Sequence, residues 1–249
     1  MSYSKACCTI PPVESNYSSV GTIEKVGELD CYVVGPADAK KAIVIIYDIF
    51  GLHNNTKQFA DVLAKRCNYK VVMPDFFRGE TCPVSALGNF DTLMAWINKH
   101  ATFEIAEAGL KTVVDWLRST GVVAGGVVGF CWGGKMAAKY SALDSPRFFE
   151  GIVMVHPSFV DVKDAEIATA PVLALPSKDE PDMTEYMEIL AKKPFGNKCQ
   201  HHRFDDMPHG FAGARGDYTN ELNVKRTTEA IQLTVNFLNG VISENHPNL

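Results

Sequence analysis

The chain has 249 residues, 46% of them hydrophobic and 21% charged, enough apolar material for one large α/β domain or two small ones. A formal charge of -5 and a pI near 5.8 argue against a nucleic-acid partner. No basic run suggests an anionic membrane surface, and the longest apolar stretch, residues 41–49, is too short to span a bilayer. The seven cysteines are odd in number and show neither a CxxC pair nor zinc-like spacing. They fit free thiols in a reducing compartment, and the first residues, MSYSKACC, lack the apolar core of a secretory signal. The expectation is a cytoplasmic monomer with no metal and no cofactor.

In chain order, residues 31–34 read as a short strand closed by Gly35-Pro36. Residues 42–47 (AIVIIY) form a continuous β-branched run, as in a strand buried on both faces. Helical spacing follows over 54–67, then a strand over 70–73 halted by Pro74. Residues 75–100 read as a polar and aromatic insertion, part loop and part helix. Residues 103–119 are an amphipathic helix with Ile105, Leu110, Val113, Val114 and Leu117 toward one side. Strand 126–129, helix 133–140, strand 151–155, strand 171–175, helix 182–191, strand 199–204 and helix 220–238 complete the chain. This alternation predicts an α/β fold, a mostly parallel central sheet with helices on both faces. No linker or repeat divides it, so 1–249 reads as a single domain with residues 1–20 peripheral.

The stretch Val127-Val-Gly-Phe-Cys-Trp-Gly-Gly-Lys135 has the form G-x-C-x-G, with a β run before it and a helix directly after. The nucleophile elbow of α/β-hydrolases has this spacing with serine at its centre. Its glycines are needed because the strand-to-helix turn leaves no room for side chains, and the helix N-terminus favours developing negative charge. The bland reading is a buried cysteine in a glycine-rich turn; the flanking strand and helix favour a nucleophile, Cys131.

A cysteine nucleophile needs a base, and this fold orders its triad nucleophile, acid, histidine. Asp179 lies just past strand 171–175, with Glu180 as an immediate rival and helix capping as its ordinary alternative. His209 lies in a loop before the last helix. His201 and His202 compete with it but fall on the predicted strand, so His209 is preferred.

These residues resemble the dienelactone hydrolase family from about residue 29 to residue 238. The motifs are Tyr47-Asp-Ile-Phe-Gly51, Met73-Pro-Asp-Phe-Phe-Arg-Gly79, Gly129-Phe-Cys-Trp-Gly133 and His209-Gly-Phe211. His156-Pro-Ser-Phe-Val160 and Phe211-Ala-Gly-Ala-Arg-Gly-Asp217 are similar to its eukaryotic, fungal branch. The resemblance implies an α/β-hydrolase fold and a Cys131–Asp179–His209 triad acting on an ester or lactone. It also implies an oxyanion hole from the Ile49 and Trp132 backbone N–H groups. Bacterial members carry a glutamate that modulates the nucleophile where this chain has Asp48. Of two arginines that hold a substrate carboxylate, Arg78 matches one; the position of the other falls near Gly213, with Arg215 displaced by two residues.

The implied chemistry is acyl transfer through an acyl-cysteine, suited to enol lactones, aryl esters and thioesters more than amides. Phe50, Phe76, Phe77, Trp132 and Phe211 are candidates for an acyl pocket, with ordinary core as the alternative. Arg78 is the candidate for a substrate anion, with a surface salt bridge as its alternative. Cys7-Cys8 reads as incidental. Two other functions compete: a peroxide-responsive thiol protein using Cys131, and a non-catalytic scaffold. The first lacks an evident resolving cysteine, and the second would not require all three triad members.

Overall fold

The computed structural model describes residues 9–242, and Cys7-Cys8 lies outside them. Eight strands form one sheet: β1 (Thr22–Val26), β2 (Leu29–Val34), β3 (Lys41–Ile46), β4 (Lys70–Pro74), β5 (Ala124–Phe130), β6 (Phe149–Val155), β7 (Val172–Leu175) and β8 (Gln200–His201). Their order across the sheet is β1-β2-β4-β3-β5-β6-β7-β8. β1 and β2 are antiparallel to each other, β2 is antiparallel to β4, and all remaining pairs are parallel.

The central strands are those the sequence reads as continuous apolar runs. Every residue of β5 is buried, as are all but the first of β3, because helices cover both faces. The α-helices among the described residues are α1 (Asn54–Cys67), α2 (Phe90–His100), α3 (Phe103–Ser119), α4 (Trp132–Ser141), α5 (Val162–Ile167), α6 (Thr184–Ala191) and α7 (Glu221–Val241). α1 and α7 pack together on one face; α3, α4, α5 and α6 follow one another on the other. Gly126 and Gly151 let α7 approach closely: a Cβ at Gly126 would lie 2.5 Å from Leu238, and one at Gly151 2.5 Å from Val241.

Local signals explain the boundaries. Thr102 caps α3 by accepting from the Ile105 N–H, with Glu104 in the first turn and Arg118 in the last, both favourable to the helix dipole. α1 ends where Asn68 turns left-handed (φ 56°) and donates its N–H to Ala64 O.

Four features differ from the sequence reading, one being α5 (Val162–Ile167), a six-residue helix in a stretch read without an element. β1 was not expected, since four of its five residues are exposed and carry no apolar run. The 75–100 insertion resolves into a loop followed by α2, with Tyr47 Oη donating to Asp75 Oδ1 (2.8 Å) and accepting from the Phe77 N–H (2.8 Å). The strand expected over 199–204 is regular only at Gln200–His201. Beyond it, pairing continues as separate bonds from His202 N to Ala174 O and Phe204 N to Pro176 O. Arg203, between these two bonds, turns its guanidinium inward to the carbonyls of Ser177, Glu180 and Pro181.

Candidate active site

The site forms where β3, β5, β6, β7 and β8 end, the edge at which open α/β sheets bind ligands. Cys131 occupies the turn from β5 into α4 with φ 56° and ψ -120°, a conformation a non-glycine residue holds only under constraint. The constraint is visible in its flanking glycines. A Cβ at Gly129 would lie 2.2 Å from Gly133 O, and one at Gly133 would lie 2.4 Å from Ile46 O. Both glycines of G-x-C-x-G are therefore steric requirements of the turn. The cysteine is 1% exposed, and its Sγ lies 3.3 Å from Ser158 Oγ.

His209 lies in the loop after β8 and is fully buried. Its ring Nδ1 is 2.6 Å from Glu180 Oε1, while the second oxygen of Glu180 accepts from the Ser177 N–H. Asp179 also reaches His209, but at the backbone, accepting its N–H at 2.8 Å. The acid facing the imidazole is thus Glu180, the rival, and Asp179 pins the loop that carries it. Adjacent side chains in a turn leave in different directions, so sequence position alone does not separate them. Arg203 braces the same loop from behind through its three carbonyl contacts. His201 and His202 stand apart from this pair: His201 is exposed on β8, and His202 pairs with Glu229 at 3.3 Å.

His156 follows directly on β6, and in the sequence it stands out only as part of the His156-Pro-Ser-Phe-Val160 motif. It is fully buried, with its ring 5.0 Å from that of His209, 5.6 Å from Phe130 and 5.9 Å from Phe211. Neither ring nitrogen has a hydrogen-bond partner among the described residues. Burial, then the positive charge potential of His209 and Arg215, holds its pKa well below the ordinary histidine value. A neutral imidazole therefore backs His209.

The other expected residues are placed as follows. Ile49 follows the Asp48 turn at the end of β3, Trp132 opens α4, and both are buried. Asp48 is buried with both oxygens on backbone amides, Oδ1 on Phe50 (2.9 Å) and Oδ2 on Ala214 (3.0 Å), stapling the β3 turn to the loop that follows His209. Gly213 is the close-approach point: a Cβ there would lie 2.7 Å from Asp48 Oδ2. Phe211 lies in the core against His156 and Phe204, and its carbonyl accepts from Asn223 of α7. Trp132 stacks on Phe77 at 5.3 Å.

The two arginines are placed differently. Arg78 is exposed and lines a groove of about 920 Å³ with Phe76, Phe77, Lys99 and His100, whose lining includes neither Cys131 nor His209. Arg215 is buried, donating from Nε to Ile10 O at 2.6 Å with its guanidinium 5.0 Å over Phe50. Among the described residues, no group of three or more His, Cys, Asp and Glu side chains gathers as a metal site would. No described helix is long and apolar enough to cross a membrane.

A mostly parallel sheet of this order, with a strained residue between β5 and α4 and an acid–histidine pair on later loops, defines an α/β-hydrolase. The dienelactone hydrolase family model matches residues 29–242. An uncharacterized AIM2 family protein of Schizosaccharomyces pombe is 34% identical over 88% of this chain and 90% of its own. Dienlactone hydrolase 1 of Gibberella moniliformis is 31% identical over 77% of each chain. The crystal structure of a dienelactone hydrolase from Anabaena variabilis superposes with a TM-score of 0.65 at 16% identity, covering 91% of this chain and 99% of that one. This chain belongs to the dienelactone hydrolase family and is a carboxylic-ester or lactone hydrolase.

Proposed function

We propose that the chain hydrolyses small-molecule esters or lactones through an acyl-cysteine on Cys131, with His209 as base and Glu180 as the acid that orients it. The observation that carries this reading is the 2.6 Å contact between Glu180 and His209 Nδ1, on loops at the same edge of the sheet as the strained cysteine. It fixes the tautomer, since an Nδ1–H donated to a carboxylate leaves Nε2 as the basic nitrogen.

The steps then balance simply. Nε2 takes the thiol proton, and the thiolate attacks the carbonyl carbon. The resulting oxyanion meets the backbone N–H groups of Ile49 and Trp132, each such donor being worth about 3 kcal/mol. Collapse breaks the C–O bond, and the alkoxide leaves with the proton from His209. Water, deprotonated by the same nitrogen, attacks the thioester and expels the thiolate.

Arg78 is exposed on a groove that Cys131 and His209 do not line, while Arg215 packs against Gly210 beside His209, so the substrate panel includes acyl groups with and without a carboxylate. The test is hydrolysis of p-nitrophenyl acetate and a lactone panel by wild type and Cys131→Ala. The expected loss of kcat/KM in the variant is about a thousandfold or more. A Cys131→Ala protein with full activity sinks the reading.

A further inference from the structure

The His156-Pro157-Ser158 turn takes no part in the reaction as proposed, yet its residues wrap the nucleophile. The Cys131 N–H donates to Val155 O at 3.1 Å, the Ser158 N–H donates to Cys131 O at 3.0 Å, and Ser158 Oγ lies 3.3 Å from Cys131 Sγ. The turn holds two non-glycine residues left-handed, His156 (φ 38°) and Phe159 (φ 57°), a costly conformation kept only where surroundings enforce it. Pro157 is seated against α4, where a Cβ on Gly134 would come within 3.3 Å of its ring. Ser158 itself is 1% exposed, so its hydroxyl finds its partner in protein.

We propose that Ser158 is a catalytic residue whose hydroxyl accepts from the resting Cys131 thiol and turns to donate to the thiolate. The inference rests on Cys131 being the nucleophile. A serine hydroxyl can accept or donate by rotation, whereas a thiolate only accepts. The sulfur is cut off from bulk water, so its charge depends on donors the protein supplies. A donor to an anion is worth more than one to a neutral atom. Ser158 therefore stabilises the attacking thiolate more than the resting thiol. It loses that advantage over the uncharged thioester and regains it as deacylation expels the thiolate. The hydroxyl proton stays on Ser158 throughout; the thiol proton goes to His209.

The titratable or charged groups around Cys131 include Asp48 after β3, His156 after β6, Asp179 and Glu180 after β7, and His209 and Arg215 after β8. α4, which begins directly after Cys131, carries Lys135, paired with Asp164, and Lys139. Changing Ser158 alters none of them, so a shift in the thiol's titration reports the hydroxyl. The experiment follows ultraviolet thiolate absorbance against pH for the full chain, each protein taken as a difference from its Cys131→Ser counterpart. Ser158→Ala is expected to raise the half-point by about one pH unit, with kcat/KM for p-nitrophenyl acetate about tenfold lower at neutral pH. Ser158→Thr and Ser158→Val form a pair of equal shape that differ in the hydroxyl, so their comparison stands even if repacking disturbs both. Thr is expected to titrate below Val. An unmoved half-point in Ser158→Ala, or Thr and Val titrating alike, overturns the role of Ser158. That result leaves the nucleophile untouched, since Cys131→Ala tests it separately.

Discussion

Asp179 and Glu180 each bind His209, one at the backbone N–H and the other at the ring. Removing the two charges should therefore have unequal effects. Glu180→Gln leaves the shape but no longer demands a proton on Nδ1, and the wrong tautomer is expected to lower kcat by about a thousandfold or more. Asp179→Asn keeps a carbonyl that can accept the same N–H, so a loss of about tenfold or less is expected. Steady-state kinetics of the two proteins side by side decide it, and equal losses would remove the distinction. His156 makes a prediction about stability. Its folded-state pKa is depressed, so the unfolded chain takes up a proton that the folded chain refuses. Stability is thus expected to fall as pH drops below about 6.5, the unperturbed histidine value. His156→Asn removes the titrating ring and retains a residue type that tolerates positive φ. Its Tm should decline less than that of wild type between neutral and mildly acidic pH; parallel curves would refute the assignment. Burial also pushes the Cys31 thiol up to about 12 and that of Cys67 to about 11, which makes both poor nucleophiles at neutral pH.

The elements explain why the strained turn persists. β5 delivers Cys131, β6 supplies the carbonyl that accepts its N–H, and α4 begins at once because Gly129 and Gly133 let backbone meet backbone. Gly129→Ala would force a methyl against the Gly133 carbonyl, and destabilisation by about 3 kcal/mol or more is expected in denaturant titration. Gly240, near the end of α7, provides the contrast, since a Cβ there meets nothing within 4 Å. Gly240→Ala should stabilise by about 0.5 kcal/mol or more through helix propensity. A neutral Gly129→Ala would mean the elbow is looser than its contacts imply. The elements missed or trimmed in the sequence are short or lie at the edges of the sheet, α5 having only six residues. β1 and β8 are sheet edges with exposed residues, where neither face imposes a continuous apolar pattern. The central strands and long helices were legible because burial imposes their periodicity directly.

Across the whole molecule, residues 10–20 form a strap that ties the β3 side of the sheet to the loop beyond His209. Val13 N donates to Ala214 O, Asn55 Nδ2 donates to both Val13 O and Ala214 O, and Arg215 holds Ile10 O. Asp61 of α1 anchors the far end, accepting from Tyr17 Oη (2.8 Å), the Val20 N–H (3.0 Å) and Tyr32 Oη. Asp61→Ala leaves these donors without their acceptor, and a loss of about 2 kcal/mol or more is expected. Limited proteolysis should then cut within residues 10–20 before the sheet unfolds. Cleavage at the wild-type rate would show that the strap is held by other contacts. The strap also engages Arg215, which donates to Ile10 O from a side chain that packs against Gly210 beside His209.

Read alone, the sequence determined the α/β class, the order of the central elements, the elbow with Cys131 and the loop with His209. Each of these is written in short-range pattern: apolar runs, helical spacing, and glycines at fixed offsets from a nucleophile. Tertiary structure decided which of Asp179 and Glu180 faces the imidazole, that Arg78 is exposed and Arg215 buried, and that Ser158 meets the sulfur of Cys131. Those outcomes depend on the direction in which a side chain leaves a turn and on what distant segments bring beside it. Ser158 is 27 residues from Cys131 along the chain and 3.3 Å from it in space only because β5 and β6 pair in parallel and end together.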